Sequence, residues 1–177
     1  MSIRSINEKD IRQVLNIYNW YIENTSYTLE TERLNFAQFR NRIRDITAFY
    51  PWIVLEDNGI ILGYAYLSSF NQRSAYQWSA DLSLYLHHDS IHQGLGSMLY
   101  KEIEKRAIEQ GFINLISIIT SENPASLAFH KKHGFKECGF LDTVGYKKNW
   151  LGVTFCKKKI QNESNHPESV KPYTQTS

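Results

Sequence analysis

Two segments of this chain combine residue types and spacings that could do chemistry. The first is Ile91-His92-Gln93-Gly94-Leu95-Gly96, placed between a strand-like run and a helical stretch that opens at Leu95. Two glycines let the backbone approach a ligand closely. The exposed N–H groups and positive dipole end of a helix N-terminus favour an anion there, phosphate above all. Two other phosphate loops are excluded by spacing. No Gly-Lys-Ser or Gly-Lys-Thr follows, and the three spaced glycines of a dinucleotide fingerprint are missing. The second segment is Asn123-Pro124-Ala125-Ser126-Leu127-Ala128-Phe129-His130-Lys131-Lys132-His133-Gly134-Phe135. Asn123 suits a helix cap, Pro124 the first turn and Gly134 the stop, and His130 can exchange a proton near neutral pH. Asp81, between Trp78 and Leu82, is a carboxylate that would be costly to bury without a role.

The elements that must position these groups follow from periodicity. A short strand over Ile3 to Ile6 precedes a helix capped by Asn7, whose Ile11, Val14, Leu15, Tyr18 and Ile22 share one face. Thr25 to Leu34 has no clear period and reads as a loop beside the site. Asn35 caps a second helix through Phe36, Phe39, Ile43 and Ile46. Trp52 to Leu55 and Ile60 to Phe70 form a hairpin around Asp57-Asn58-Gly59. Ala75 to Leu86 reads as a strand with Asp81, Ser83 and Tyr85 on one side and Leu82, Leu84 and Leu86 on the other. A helix from Leu95 ends at Gly111, a strand covers Leu115 to Thr120, a helix starts behind Asn123, and strands near Lys136–Tyr146 and Trp150–Lys159 complete the pattern. The order β-α-α-β-β-β-α-β-α-β-β predicts an α/β single domain over residues 1–160, a mixed and mostly antiparallel central sheet with helices on both faces. Residues 161–177 have Val170 as their one aliphatic side chain and read as a mobile tail.

Composition narrows the partners. Of 177 residues, 20 are basic and 18 acidic and they are mixed along the chain, so no field of one sign recruits nucleic acid or a membrane surface. No apolar run reaches the length that spans a bilayer, and the charged N-terminus does not read as a signal peptide. Two cysteines, Cys138 and Cys156, are too few for a disulfide framework. A cytoplasmic protein is expected.

The pairing of the glycine-turned loop with an Asn-Pro-Ala-Ser helix ending in Gly-Phe resembles the acetyl-CoA core of GNAT N-acetyltransferases. Pro51-Trp52, Gly63-Tyr64-Ala65-Tyr66, Arg73 to Trp78, Ser83-Leu84-Tyr85 and Val144-Gly145-Tyr146-Lys147 narrow the likeness to the phosphinothricin and methionine sulfoximine acetyltransferases, over about residues 3 to 156. The resemblance implies acetyl-CoA as donor, with no metal, and a small amino-acid-like amine as acceptor. It implies backbone contacts to the cofactor arm from Leu84, Leu86 and His87, phosphate contacts from Gln93, Gly94, Leu95, Gly96 and Ser97, and a further contact from Asn123. Asp81 stands where the family has a glutamate base, and His130 would protonate the departing thiolate or bond to the cofactor. Arg73 is the candidate partner of the acceptor carboxylate. Tyr27, Phe70, Tyr76 and Trp78 would line the acceptor pocket, and a homodimer is the expected assembly.

Three positions depart from the family. Ile91 replaces the arginine or glutamine that usually opens the loop, Asn71 replaces an arginine, and Lys148-Asn149 stands for a Phe-Gly with one residue fewer. The last two fall on the acceptor side. Other acceptors (a polyamine, an aminoglycoside or a protein N-terminus) and a noncatalytic acyl-CoA-binding module are the competing readings.

Overall fold

The computed structural model describes residues 1–91 and 93–174; His92 of the glycine loop and residues 175–177 lie outside it. Eleven principal elements follow in the order expected: β1 (Ser2–Ser5), α1 (Ile11–Asn24), α2 (Phe36–Thr47), β2 (Trp52–Asp57), β3 (Ile60–Ser69), β4 (Ser79–Leu86), α3 (Leu95–Gln110), β5 (Asn114–Thr120), α4 (Pro124–Lys132), β6 (Lys136–Lys147) and β7 (Asn149–Lys159). Seven strands make one sheet in the order β1-β2-β3-β4-β5-β7-β6. All neighbours are antiparallel except β4 and β5.

Local chemistry accounts for the element ends. The Asn35 side chain accepts from the Gln38 N–H while Gln38 reaches back to the Asn35 N–H, a reciprocal cap that starts α2. Asn7 makes the same kind of box with Asp10, over a 3₁₀ turn (Glu8–Asp10) that leads into α1. Asn58 and Gly59, both at positive φ, join Asp57 to Ile60 by the two-residue turn that suits twisted strands. Residues 75–78, read as the beginning of a strand, instead form part of a 3₁₀ turn (Ser74–Tyr76) and its exit, and β4 starts at Ser79.

Strand alternation divides the core in two. Ile53, Leu55, Ala65, Leu67, Ala80 and Leu82 face α3. Trp52, Val54 and Tyr64 face α1 and α2. No helix among the described residues is long and apolar enough to cross a membrane.

The segment after β7 differs from the free tail expected of its composition. Val170 is buried in the α3-side core. The Trp78 indole N–H donates to the Glu168 carbonyl at 2.8 Å, Lys171 N–H to Gln110 O at 3.0 Å, and Tyr173 N–H to Phe49 O at 2.9 Å. A polar segment can thus run as a strap when a neighbouring surface supplies the partners its own sequence lacks.

Candidate active site

Parallel pairing of β4 with β5 extends only from Ser79↔Asn114 to Asp81↔Ile116. Beyond Asp81 the two strands diverge, and the Ser117 hydroxyl bridges to the Leu82 carbonyl at 3.4 Å at the start of the gap. Residues two apart in a strand present their backbone groups to the same edge. Leu82, Leu84 and Leu86 therefore turn N–H and C=O groups into the gap. The His87 N–H, by contrast, is spent on the Leu62 carbonyl of β3 at 2.8 Å.

The gap opens into a cavity of about 560 Å³. Leu82, Leu84 and Leu86 line it from one face of the sheet, Ser83, Tyr85, Tyr21 and Tyr27 from the other, so it passes through the sheet at the splay. Gly94, Gly96 and Ser97 form one end, and Asn123, Ser126, Phe129 and His130 of the α4 segment form a wall. Gly94 holds the left-handed conformation (φ 78°) that turns the chain into α3. A Cβ on Gly96 would stand 3.3 Å from the Phe129 ring, so glycine there allows α3 to pack closely against α4. Ser97 and Met98 N–H donate to Gly94 O at 3.1 and 3.4 Å, whereas the Leu95 and Gly96 N–H groups have no acceptor among the described residues, which leaves them for an anion.

Of the residues expected at the cofactor, Leu84, Leu86, Gly94, Gly96, Ser97 and Asn123 line this cavity. Gln93 is exposed, the Leu95 side chain is buried in the core, and His87 lies outside the lining. The Ser97 hydroxyl is held by His133 Nε2 at 3.0 Å, and Asn123 caps α4 through Ser126 N–H. On the acceptor side only Tyr27 of the five expected residues reaches the cavity. Phe70 and Tyr76 pack edge to face with each other beyond β4, Trp78 carries the strap, and Arg73 is exposed in the same loop. Sequence reasoning missed Tyr21, whose hydroxyl donates to Leu86 O at 2.9 Å. Its position three residues after Tyr18 in α1 marks it as facing inward, but nothing in that spacing distinguishes a core tyrosine from a cavity one.

Asp81 sits at the apex of the splay. Its Oδ1 is buried without a hydrogen-bond partner among the described residues. Burial raises its carboxyl from the ordinary 3.8 to about 6. His130 is 6% exposed and lies edge-on to Phe129 and Phe135. Its Nδ1 is 2.8 Å from the Ser126 carbonyl, which can only accept, so Nδ1 carries the proton. Burial, with a smaller contribution from His133, pushes the ring below its usual range, so it is neutral at pH 7. Nε2, which has no partner among the described residues, then presents a lone pair.

His87, His88 and Asp89 bring possible metal ligands together. The two imidazoles stack at 4.4 Å and 23°, and stacked rings cannot both aim an in-plane lone pair at one ion.

The fold and the cavity define an acetyltransferase of the GNAT class. The family described as "Acetyltransferase (GNAT) domain" matches residues 3–151, and the chain belongs to it. The chain is 31% identical to the phosphinothricin N-acetyltransferase of Streptomyces viridochromogenes, over 99% of this chain and 96% of that protein. It is 30% identical to the L-methionine sulfoximine/L-methionine sulfone acetyltransferase of Pseudomonas aeruginosa, over 94% and 98%. The crystal structure of a GNAT superfamily phosphinothricin acetyltransferase from Sinorhizobium meliloti, in complex with acetyl-CoA, superposes with a TM-score of 0.90 at 29% identity, covering 99% of this chain and 96% of that one. The chain is thus an acetyl-CoA-dependent N-acetyltransferase, and its through-sheet cavity, unpaired β4 backbone and glycine-led helix fit that donor.

Proposed function

We propose that this enzyme acetylates the primary amine of a small amino-acid-like acceptor, of the phosphinothricin or methionine sulfoximine type, by direct attack of the amine on the acetyl thioester. The observation that carries the reading is the cavity through the sheet, whose lining begins at Leu82, directly after the last β4–β5 pair at Asp81; Asp81 itself lies outside that lining, with its Oδ1 buried and without a partner among the described residues. A donor held from the α3 side and an amine arriving from the α1 side would meet there. The named activities of the two relatives support the acceptor class.

In this reading the Leu84 and Leu86 backbone groups hold the donor's extended arm, and the amides around Gly94 and Gly96 hold its phosphates. Acetyl-CoA supplies a thioester whose carbonyl carbon is electrophilic. Asp81 takes a proton from the acceptor ammonium, directly or through one water, and leaves a neutral amine to attack. Its raised pKa suits it to hold that proton briefly near pH 7. Of the two roles expected of His130, hydrogen bonding to the donor has the better support, because neutral His130 offers an acceptor at Nε2 and keeps its one proton on Ser126 O. Thiol release from acetyl-CoA, measured with a panel of amino acids, polyamines and aminoglycosides, tests the assignment. Turnover confined to methionine sulfone-like amino acids is expected. Micromolar acetyl-CoA binding without turnover on any amine would make the chain a noncatalytic module instead.

The same proposal includes a homodimer formed through β6. That edge strand leaves Phe140, Val144 and Tyr146 exposed, and Trp150 stacks edge to face on Tyr146 at 5.5 Å while itself 64% exposed. Apolar groups of this size along an unpaired edge favour an isologous contact between copies. Sedimentation of the double variant Tyr146→Glu, Trp150→Glu should give half the wild-type mass. An unchanged mass would place any assembly elsewhere.

A further inference from the structure

An amino-acid acceptor brings a carboxylate that needs a cation, and the cation expected from sequence, Arg73, is exposed and outside the cavity. Arg42 is spent: its guanidinium holds both oxygens of Glu30, at 3.2 and 2.5 Å. Lys132 lines the cavity, but in the last turn of α4, beside the His133 that bonds to Ser97 at the phosphate end. One cation on the acceptor side is different.

Lys147 ends β6 and is 6% exposed. Its ammonium makes one hydrogen bond, to the Thr28 carbonyl at 2.9 Å, and no carboxylate among the described residues lies within ion-pair distance of it. Glu30 is the acidic side chain whose charge acts on it, and Arg42 holds that carboxylate. Two of the three N–H donors of a buried ammonium are thus unspent. Such a cation is expensive to keep without an anion. Burial, reinforced by Lys148, already draws its pKa down.

Thr28 connects this ammonium to the cavity. It follows Tyr27, a lining residue, and its hydroxyl meets the Tyr18 hydroxyl at 3.0 Å. Tyr18 in turn packs edge to face on Tyr85, another lining residue, at 5.2 Å. Leu29 seals the other side, where a Cβ on Gly145 would stand 3.0 Å from its methyl groups. Lys147, like Arg73, is outside the cavity lining, but unlike Arg73 it is buried and tied through Thr28 O to the segment that carries the lining residue Tyr27, at the turn where the chain departs from its family by Lys148-Asn149.

We infer that Lys147 is the specificity residue for the acceptor's carboxylate, its ammonium turning from a lone backbone carbonyl to the incoming anion. The inference rests on the amino-acid acceptor reading. A charge-assisted pair of this kind is worth roughly 1.5–3 kcal/mol, or about 10- to 150-fold in kcat/KM.

The test compares methionine sulfone with the corresponding amine lacking the carboxylate, in wild type, Lys147→Met, Lys147→Arg and Arg73→Ala. Lys147→Met should lose at least about tenfold on the amino acid and less than about threefold on the amine, with the acetyl-CoA KM unchanged and partial recovery in Lys147→Arg. Equal losses on both acceptors would mean that Lys147 only holds the loop, and would overturn the inference. So would a selective loss in Arg73→Ala with none in Lys147→Met. Failure of the wild-type enzyme on every acceptor would remove the amino-acid reading itself and this inference with it.

Discussion

Replacing Asp81 with asparagine should lower turnover by about a hundredfold or more while acetyl-CoA binding stays unchanged and the protein becomes more stable. The activity loss follows from removing the proton acceptor at the apex of the splay. The stability gain follows from the same burial. The Asp81 carboxyl is raised from 3.8 to about 6, so between those pH values the folded chain holds a proton that the unfolded chain releases. Stability contributed by this group therefore falls as pH rises through that window, and above about pH 6 the buried carboxylate is a cost on the order of 2 kcal/mol. Asparagine carries no charge and removes that cost. Thermal melts should show the variant ahead of wild type at pH 7 and level with it near pH 4. Wild-type turnover should fall as pH drops below about 6, the range in which Asp81 takes up its proton. Full activity in Asp81→Asn would remove the residue from the mechanism.

The second large effect is expected far from the chemistry. Ending the chain at Gln161 should destabilise it by about 4 kcal/mol, combining lost burial of Val170 with loss of the hydrogen bonds that Glu168, Lys171 and Tyr173 make to the body of the domain. Gln110 is 5% exposed and donates to both Phe49 O and Lys171 O, the latter at 2.7 Å. Arg106 would also lose its bond to the Tyr173 hydroxyl. For a chain of this size the melting temperature should fall by about 10 °C. Val170→Ala should reproduce a minor part of the fall without shortening the chain. Identical melts for the full and shortened chains would show that the strap adds nothing. The strap is anchored on Trp78, whose carbonyl accepts from Ile113 and Asn114 at 2.9 and 3.1 Å at the closed end of the splay. Its removal is therefore expected to slow turnover as well as lower stability.

Much of the architecture was legible because it is written in local rules. Helix caps at Asn7, Asn35 and Asn123, positive-φ glycines at positions 94, 111 and 134, and period-two alternation through Asp81 to Leu86 each act within a few residues. Those rules set the order of elements and the two faces of the sheet. They also placed Gly94, Gly96, Leu84 and Leu86, since a glycine turn into a helix and a strand's alternation are local properties.

What the tertiary structure alone decided depends on distant partners. Nothing around Arg73 or Trp78 says that their loop lies outside the cavity, or that Trp78 packs half-buried against the α3-side core with its N–H taken by Glu168, 90 residues later. The Val170 segment looks unstructured by composition, because its burial comes from a groove made by the end of α3, Phe49 and the turn before β4. Lys147 entered the sequence reading only as the last residue of the family-like Val144-Gly145-Tyr146-Lys147 strand, and its burial comes from the Thr28 loop 119 residues away. His130 illustrates both levels. Its residue type announced proton chemistry, but only the 2.8 Å contact with the Ser126 carbonyl fixed which nitrogen keeps the proton, and so which one is left to accept.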